Sequence, residues 1–269
     1  MTSDSIIPPS LPVSEGAESP APKHSDSPAC LADTAADVLQ AQGSSTALAR
    51  IGDRTTAAAW VGKKLGRYQV ISVLGQGAMG MVLKAHDPMI ERDVAIKVLA
   101  EHLAADATAL GRFLAEAKAV GKINHPNVMS IYEICQEGPI HYLVLEYVAG
   151  GSIDDRLTAR ISLSVFEATQ VLMDACKGVG AAHAAGLIHR DIKPANFMRM
   201  ADGAVKVADF GLAKAAAKTD RGLTQVGMIV GTPLFMSPEQ CQAKSLDHRS
   251  DIYSLGATYY TVLSGIFSH

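Results

Sequence analysis

The segment Leu74-Gly75-Gln76-Gly77-Ala78-Met79-Gly80-Met81-Val82 sets three glycines between two runs of strand-forming residues. Ahead of it, Tyr68 to Leu74 is rich in β-branched side chains; behind it, Met81 to Ala85 continues extended until a turn at Asp87-Pro88. Glycines let a backbone approach phosphate groups closely. G-x-G-x-x-G alone is a weak signal. The dinucleotide-binding reading requires a helix straight after the glycines, where a strand stands here, and the Gly-Lys-Ser/Thr of a P-loop is absent. A β-hairpin folded over a nucleotide is the reading left.

The rest of the chain is expected to divide in two. Residues 1–62 are rich in Ser, Pro, Ala and Thr, cannot bury enough apolar surface to offset ordering entropy, and read as a disordered arm. Residues 63–269 read as one α+β domain of two lobes. Its first lobe, about 66–146, has five strands, the later three at Asp93–Leu99, Val128–Cys135 and Ile140–Tyr147. Leu110, Phe113, Leu114, Ala117 and Val120 recur at helix spacing between them. Gly150-Gly151 marks the crossover to a mainly helical second lobe. There Ser164-Val165-Phe166-Glu167 is a capping-box pattern, Gly186 is placed to end the helix it starts, and Ser250–Leu263 forms another apolar helix.

Bulk properties exclude several function classes. A net charge of −3 gives no support for a nucleic-acid or anionic-membrane binder. The four cysteines (Cys30, Cys135, Cys176, Cys241) form no C-x-x-C pair, so a zinc site or disulfide framework is not expected and a reducing, cytoplasmic setting is. The N-terminus has no signal-peptide pattern, and no run of 18 apolar residues is present to span a membrane.

The chemistry concentrates in His189-Arg190-Asp191-Ile192-Lys193-Pro194-Ala195-Asn196, followed by Asp209-Phe210-Gly211. Asp191 is a candidate acceptor for a hydroxyl proton, and positioned general-base help is worth about 10²–10⁴-fold. Asn196 and Asp209 offer hard oxygen ligands that suit Mg²⁺. H-R-D-x-x-x-x-N with D-F-G is the protein-kinase signature. From about Gly66 to the C-terminus the chain resembles the eukaryotic-like serine/threonine protein kinases of bacteria.

That resemblance implies a role for each matching residue. Lys97, in Val94-Ala95-Ile96-Lys97, would contact the α- and β-phosphates of ATP and pair with Glu116 of the helix. Leu74, Gly75, Gln76, Gly77, Ala78, Met79, Gly80, Met81 and Val82 would cover the nucleotide. Val82, Ala95 and Met198 would sandwich adenine, and the backbones of Glu146 and Val148 would meet its edge, with Leu145 as gatekeeper. Lys193 would contact the γ-phosphate, and its Lys-Pro context points to Ser/Thr specificity. Asn196 and Asp209 would hold Mg²⁺, with Mn²⁺ the alternative ion. His189 is expected to pack, not to act as a base.

Lys214 to Val230 resembles an activation segment, with Thr224 and then Thr219 as phosphorylation candidates that could pair with Arg190. Thr232, in Gly231-Thr232-Pro233, would bond Asp191 and Lys193 beside a protein substrate. Self-association for phosphorylation in trans would follow. Ser237-Pro238-Glu239 replaces the usual Ala-Pro-Glu, and the helix opened by Asp247-His248-Arg249-Ser250-Asp251 is the last element before His269. The second lobe is therefore expected to be incomplete, with Glu239 short of its usual partner and a membrane anchor beyond His269 left open. The alternative function is an ATP-binding fragment or scaffold without turnover.

Overall fold

The computed structural model describes residues 58–210 and 233–265. Its first lobe is an antiparallel sheet in the order β1-β2-β3-β4-β6-β5. The strands are β1 (Lys64–Leu65), β2 (Tyr68–Gly77), β3 (Gly80–Asp87), β4 (Arg92–Leu99), β5 (Ile131–Glu137) and β6 (Ile140–Glu146). The sequence pattern accounts for five of them. The sixth, β1, is two residues long, too short to show an alternation. Before it, Ala58–Trp60 form a 3-10 turn and Trp60 is 4% exposed, so the arm expected over residues 1–62 gives way to folded chain before its end.

Two helices follow β4, not one: the single turn α1 (Glu101–Ala104) and α2 (Ala107–Val120). Asp106 caps α2 by accepting from the N–H groups of Thr108 and Ala109. The helix buries Phe113 and Ala117 against Ala95, Leu99, Leu143 and Leu145 of the sheet. Glu116 lies between those two anchors on the same stretch of α2.

The second lobe is built on α3 (Ile153–Thr158), α4 (Val165–Ala184), α5 (Pro238–Cys241) and α6 (His248–Ser264), with a small hairpin of β7 (Phe197–Arg199) and β8 (Val205–Val207). The Ser164–Glu167 capping box forms in both directions, and Gly186 follows the end of α4 with φ +76°. Val171, Ala175 and Val179 of α4 meet Ile192, Phe197, Val205, Val207 and Leu255 in one apolar core. This core carries the hairpin, and the candidate site residues flank it in the chain, Asp191, Lys193 and Asn196 before β7 and Asp209 after β8.

Among the described residues no helix is long and apolar enough to cross a membrane.

Two glycines of α4 separate packing from propensity. A methyl group at Gly178 would come 2.3 Å from the carbonyl oxygen of Asn127, whereas Gly180 faces open space. Gly180→Ala should raise stability by about 0.5–1 kcal/mol, the helical cost of glycine. Gly178→Ala, with the same propensity gain, should instead lose about 2 kcal/mol by overpacking. Urea denaturation of the two variants checks the opposite signs.

Candidate active site

Strand register brings the upper half of the site together. Gly77 and Gly80 close β2 on β3 through the Ala78-Met79 turn, so the glycine segment is a hairpin. Gly80 has φ +127°, and a methyl there would lie 1.9 Å from the Val98 carbonyl oxygen, so only glycine fits this close approach to β4. Val82 lies opposite Lys97 in the β3–β4 register, which sets the Lys97 side chain under the hairpin. Lys97 is 7% exposed and its Nζ lies 2.8 Å from Asp209 Oδ1. Leu145 and Val148 are buried. The Glu146 N–H donates to Ser130 O at 3.0 Å, so what Glu146 can offer to a base edge is its carbonyl.

The lower half hangs on one buried carboxylate. Asp251, in the first turn of α6, is 1% exposed. Its Oδ2 accepts from the His189 N–H at 2.7 Å and lies 2.7 Å from His183 Nε2; its Oδ1 accepts from the Arg190 N–H at 2.8 Å. Arg190 has φ +67° and Asp209 φ +56°, left-handed conformations that non-glycine residues adopt only where surroundings impose them. Gln240 Nε2 donates to Arg190 O at 2.7 Å, holding the same residue from the other side.

Beyond Arg190, Lys193 Nζ lies 2.9 Å from Asp191 Oδ2. Asn196 Nδ2 donates to Asp191 O at 2.7 Å, which leaves the amide oxygen of Asn196 for another partner. Ala208 N–H donates to Asn196 O at 2.9 Å across the β7–β8 hairpin, which fixes Asn196 relative to Asp209. The two sites of oxygen ligation fit Mg²⁺, which takes one or two protein oxygens together with phosphate and water. Residues 75–82 with Lys97, Asp191, Lys193, Asn196 and Asp209 line one cleft of about 470 Å³; Leu145, Glu146 and Val148 are not in its lining.

His189 is fully buried, and its ring lies 4.6 Å from that of Phe210. Nδ1 accepts from the Asp191 N–H at 3.2 Å, so Nε2 carries the hydrogen it donates to Ala208 O at 2.9 Å. Burial holds its pKa below the ordinary value. A neutral ring with both nitrogens engaged is a strut, as the sequence indicated, and not a base.

A protein kinase domain model matches residues 68–268. The chain belongs to the protein kinase family. It is 41% identical over 203 residues to the serine/threonine-protein kinase PknB of Mycobacterium tuberculosis, covering 74% of this chain and 32% of that protein. It is 38% identical over 215 residues to the serine/threonine-protein kinase pkn3 of Myxococcus xanthus, covering 77% and 39%. The crystal structure of the PknI kinase domain of Mycobacterium tuberculosis superposes with a TM-score of 0.62 at 26% identity, covering 76% of this chain and 77% of that one. The chain thus spans about a third of the length of the curated relatives it matches.

Within this kinase fold one expected pairing is replaced. Lys97 does not pair with Glu116 here; it pairs with Asp209, and Glu116 Oε1 accepts from Arg190 Nη1 at 3.1 Å. The backbone of Arg190, fixed by Asp251, sends its guanidinium toward α2. Glu239 is supplied otherwise than expected, its Oε1 accepting from Ser250 Oγ at 2.5 Å, and this bond holds its carboxyl below the usual range. Asp251 carries more of the site than the sequence indicated, and an acid in the first turn of an apolar helix was its signal. Ala195 also lines the cleft. Thr219, Thr224 and Thr232 lie outside the described residues.

His189 predicts a pH dependence. Its folded pKa is lowered, so below the ordinary value of 6.5 the unfolded chain binds the extra proton first. This contribution to stability is complete above that value and is lost as pH falls from it toward the folded pKa. The melting temperature of the parent should therefore drop more steeply between about pH 7 and about pH 5.5 than that of His189→Phe, which lacks the group. Parallel thermal melts of the two proteins measure the difference.

Proposed function

We propose that this kinase transfers the γ-phosphoryl group of Mg·ATP to Ser or Thr hydroxyls of proteins. The observation that carries the reading is the convergence of Lys97, Asp191, Lys193, Asn196 and Asp209 on one cleft under the glycine hairpin. Phosphoryl transfer asks a protein mainly for positioning and charge neutralisation, and this set supplies both. The bond between γ-phosphorus and the β–γ bridging oxygen breaks as the substrate hydroxyl oxygen bonds to γ-phosphorus. ADP leaves, and the hydroxyl proton passes to Asp191. Lys193, 2.9 Å from Asp191, is placed to neutralise the transferring group. Lys97 holds the α- and β-phosphates. Asn196 and Asp209 would hold Mg²⁺, or Mn²⁺ in its place, which supplies a Lewis acid for the phosphate oxygens.

The Ser/Thr assignment draws on Lys193-Pro194 and on relatives named serine/threonine-protein kinases. The reaction belongs in the cytoplasm, where Mg·ATP is available; the free thiols of Cys135, Cys176 and Cys241 are compatible with that. Control draws on the ion pairs. A phosphate on Thr224, or Thr219, added by a second copy of the chain, would compete with Glu116 for Arg190 and release Glu116 toward Lys97.

The test is phosphorylation with γ-labelled ATP, using the parent and Asp191→Asn side by side. The parent should label itself and a Ser/Thr protein substrate, and the variant should be slower by about 10²–10⁴-fold. Equal labelling by both would remove Asp191 from the role of base. ATP binding without label in either would leave a nucleotide-binding scaffold.

A further inference from the structure

Glu146 and Lys206 form an ion pair that the reaction above does not use. Lys206 Nζ lies 2.8 Å from Glu146 Oε2, with side-chain exposures of 14% and 16%. Glu146 ends β6 and belongs to the first lobe; Lys206 is the middle residue of β8 in the second. The same carboxylate oxygen also accepts from the Ser130 N–H at 3.3 Å, and Ser130 O takes the Glu146 N–H. Ser130 closes a short segment that is itself bonded to β8. Asn127 Nδ2 donates to Val205 O at 2.8 Å, and Met129 N–H to Val207 O at 2.9 Å.

The position of the pair gives it a use. Lys206 is the cross-strand partner of Met198, and Glu146 is the cross-strand partner of Val94, the neighbour of Ala95. Ala95 and Met198 are the expected roof and floor of the adenine slot. The ion pair therefore ties β6, the neighbour of the roof strand β4, to β8, the neighbour of the floor strand β7. Removing one partner of such a pair leaves a poorly hydrated charge, so the arrangement resists opening.

We propose that Lys206 and Glu146, through their side chains, are positioning residues that fix the spacing of the adenine slot, setting affinity for the nucleotide and not the rate of phosphoryl transfer. The proposal rests on the ATP reading above. A pair that merely held the lobes folded would move thermal stability alone, so the test reads nucleotide affinity.

ATP KM and kcat, and Mg·ATP binding by isothermal titration, are measured for Lys206→Met, Glu146→Gln and the swapped double variant Glu146→Lys with Lys206→Glu. Each single variant should raise KM and Kd for ATP about tenfold with kcat within about twofold. The swapped pair should bring both constants back to within about threefold of the parent. The double variant keeps a pair, so it distinguishes lost pairing from lost folding. ATP affinity unchanged in Lys206→Met, or no recovery in the swap, overturns the proposal while the kinase reading stands. A parent that binds no Mg·ATP overturns both.

Discussion

The site depends on a single buried carboxylate. Asp251 is almost wholly removed from water, and an unpaired charge there would be strongly unfavourable. Two backbone N–H groups of the catalytic loop and the His183 ring supply its partners. A carboxylate that needs those donors also dictates where they are. It thereby holds Arg190 in a left-handed conformation that the residue would not choose alone. Every downstream position inherits this constraint: Asp191 follows directly, Lys193 turns back onto it, and Asn196 bonds its carbonyl. The Asn196 carbonyl then fixes Ala208, the neighbour of Asp209. A helix dipole contributes in the same sense, since Asp251 sits in the first turn of α6.

The proposed catalytic residues Asp191, Lys193, Asn196 and Asp209 could be singled out because they stand close together in two short runs, and spacing along a chain survives folding. The glycine hairpin was legible for another reason. A strand after Gly80 excluded the helix that other phosphate loops need, and the β2–β3 register shows that strand. Partner choice was not legible. A sequence holds no distance between α2 and the catalytic loop, and so does not say that Lys97 meets Asp209 while Glu116 meets Arg190. The difference between the two pairings is a difference of ion-pair energies in a partly hydrated cleft, where such terms are small and depend on position. Asp251 was visible as an acid in an apolar helix, yet only tertiary structure shows which N–H groups it serves. Single-turn and two-residue elements such as α1 and β1 fall below the length at which any periodicity can be read.

The swapped pairs have a structural logic. Glu116 is anchored on α2 between Phe113 and Ala117, both buried in the sheet core, so its backbone has little freedom. Arg190 is equally fixed by Asp251 and Gln240. What remains free to choose is side-chain direction, and the two acids divide the two cations between them, Asp209 with Lys97 and Glu116 with Arg190. Each of these four charges has an opposite charge beside it. A nucleotide entering the cleft would bring several negative charges to Lys97 and a metal to Asp209, and would thereby remove the reason for those two to pair.

The seam between the lobes explains why the nucleotide site lies where it does. The segment Asn127–Ser130 bonds β8 on one side and the end of β6 on the other, so the two lobes share backbone hydrogen bonds at this point. Gly178 lets α4 press directly on Asn127, carrying the packing of the second lobe's core into the same segment. A purely apolar seam here could slide, because hydrophobic contact is not directional. Backbone hydrogen bonds and a largely buried ion pair have preferred geometries, and they hold the end of β6 against β8. The glycine hairpin takes no part in this seam: its Ala78-Met79 turn joins β2 to β3, while the directional contacts of the seam lie between the end of β6, residues 127–130 and β8.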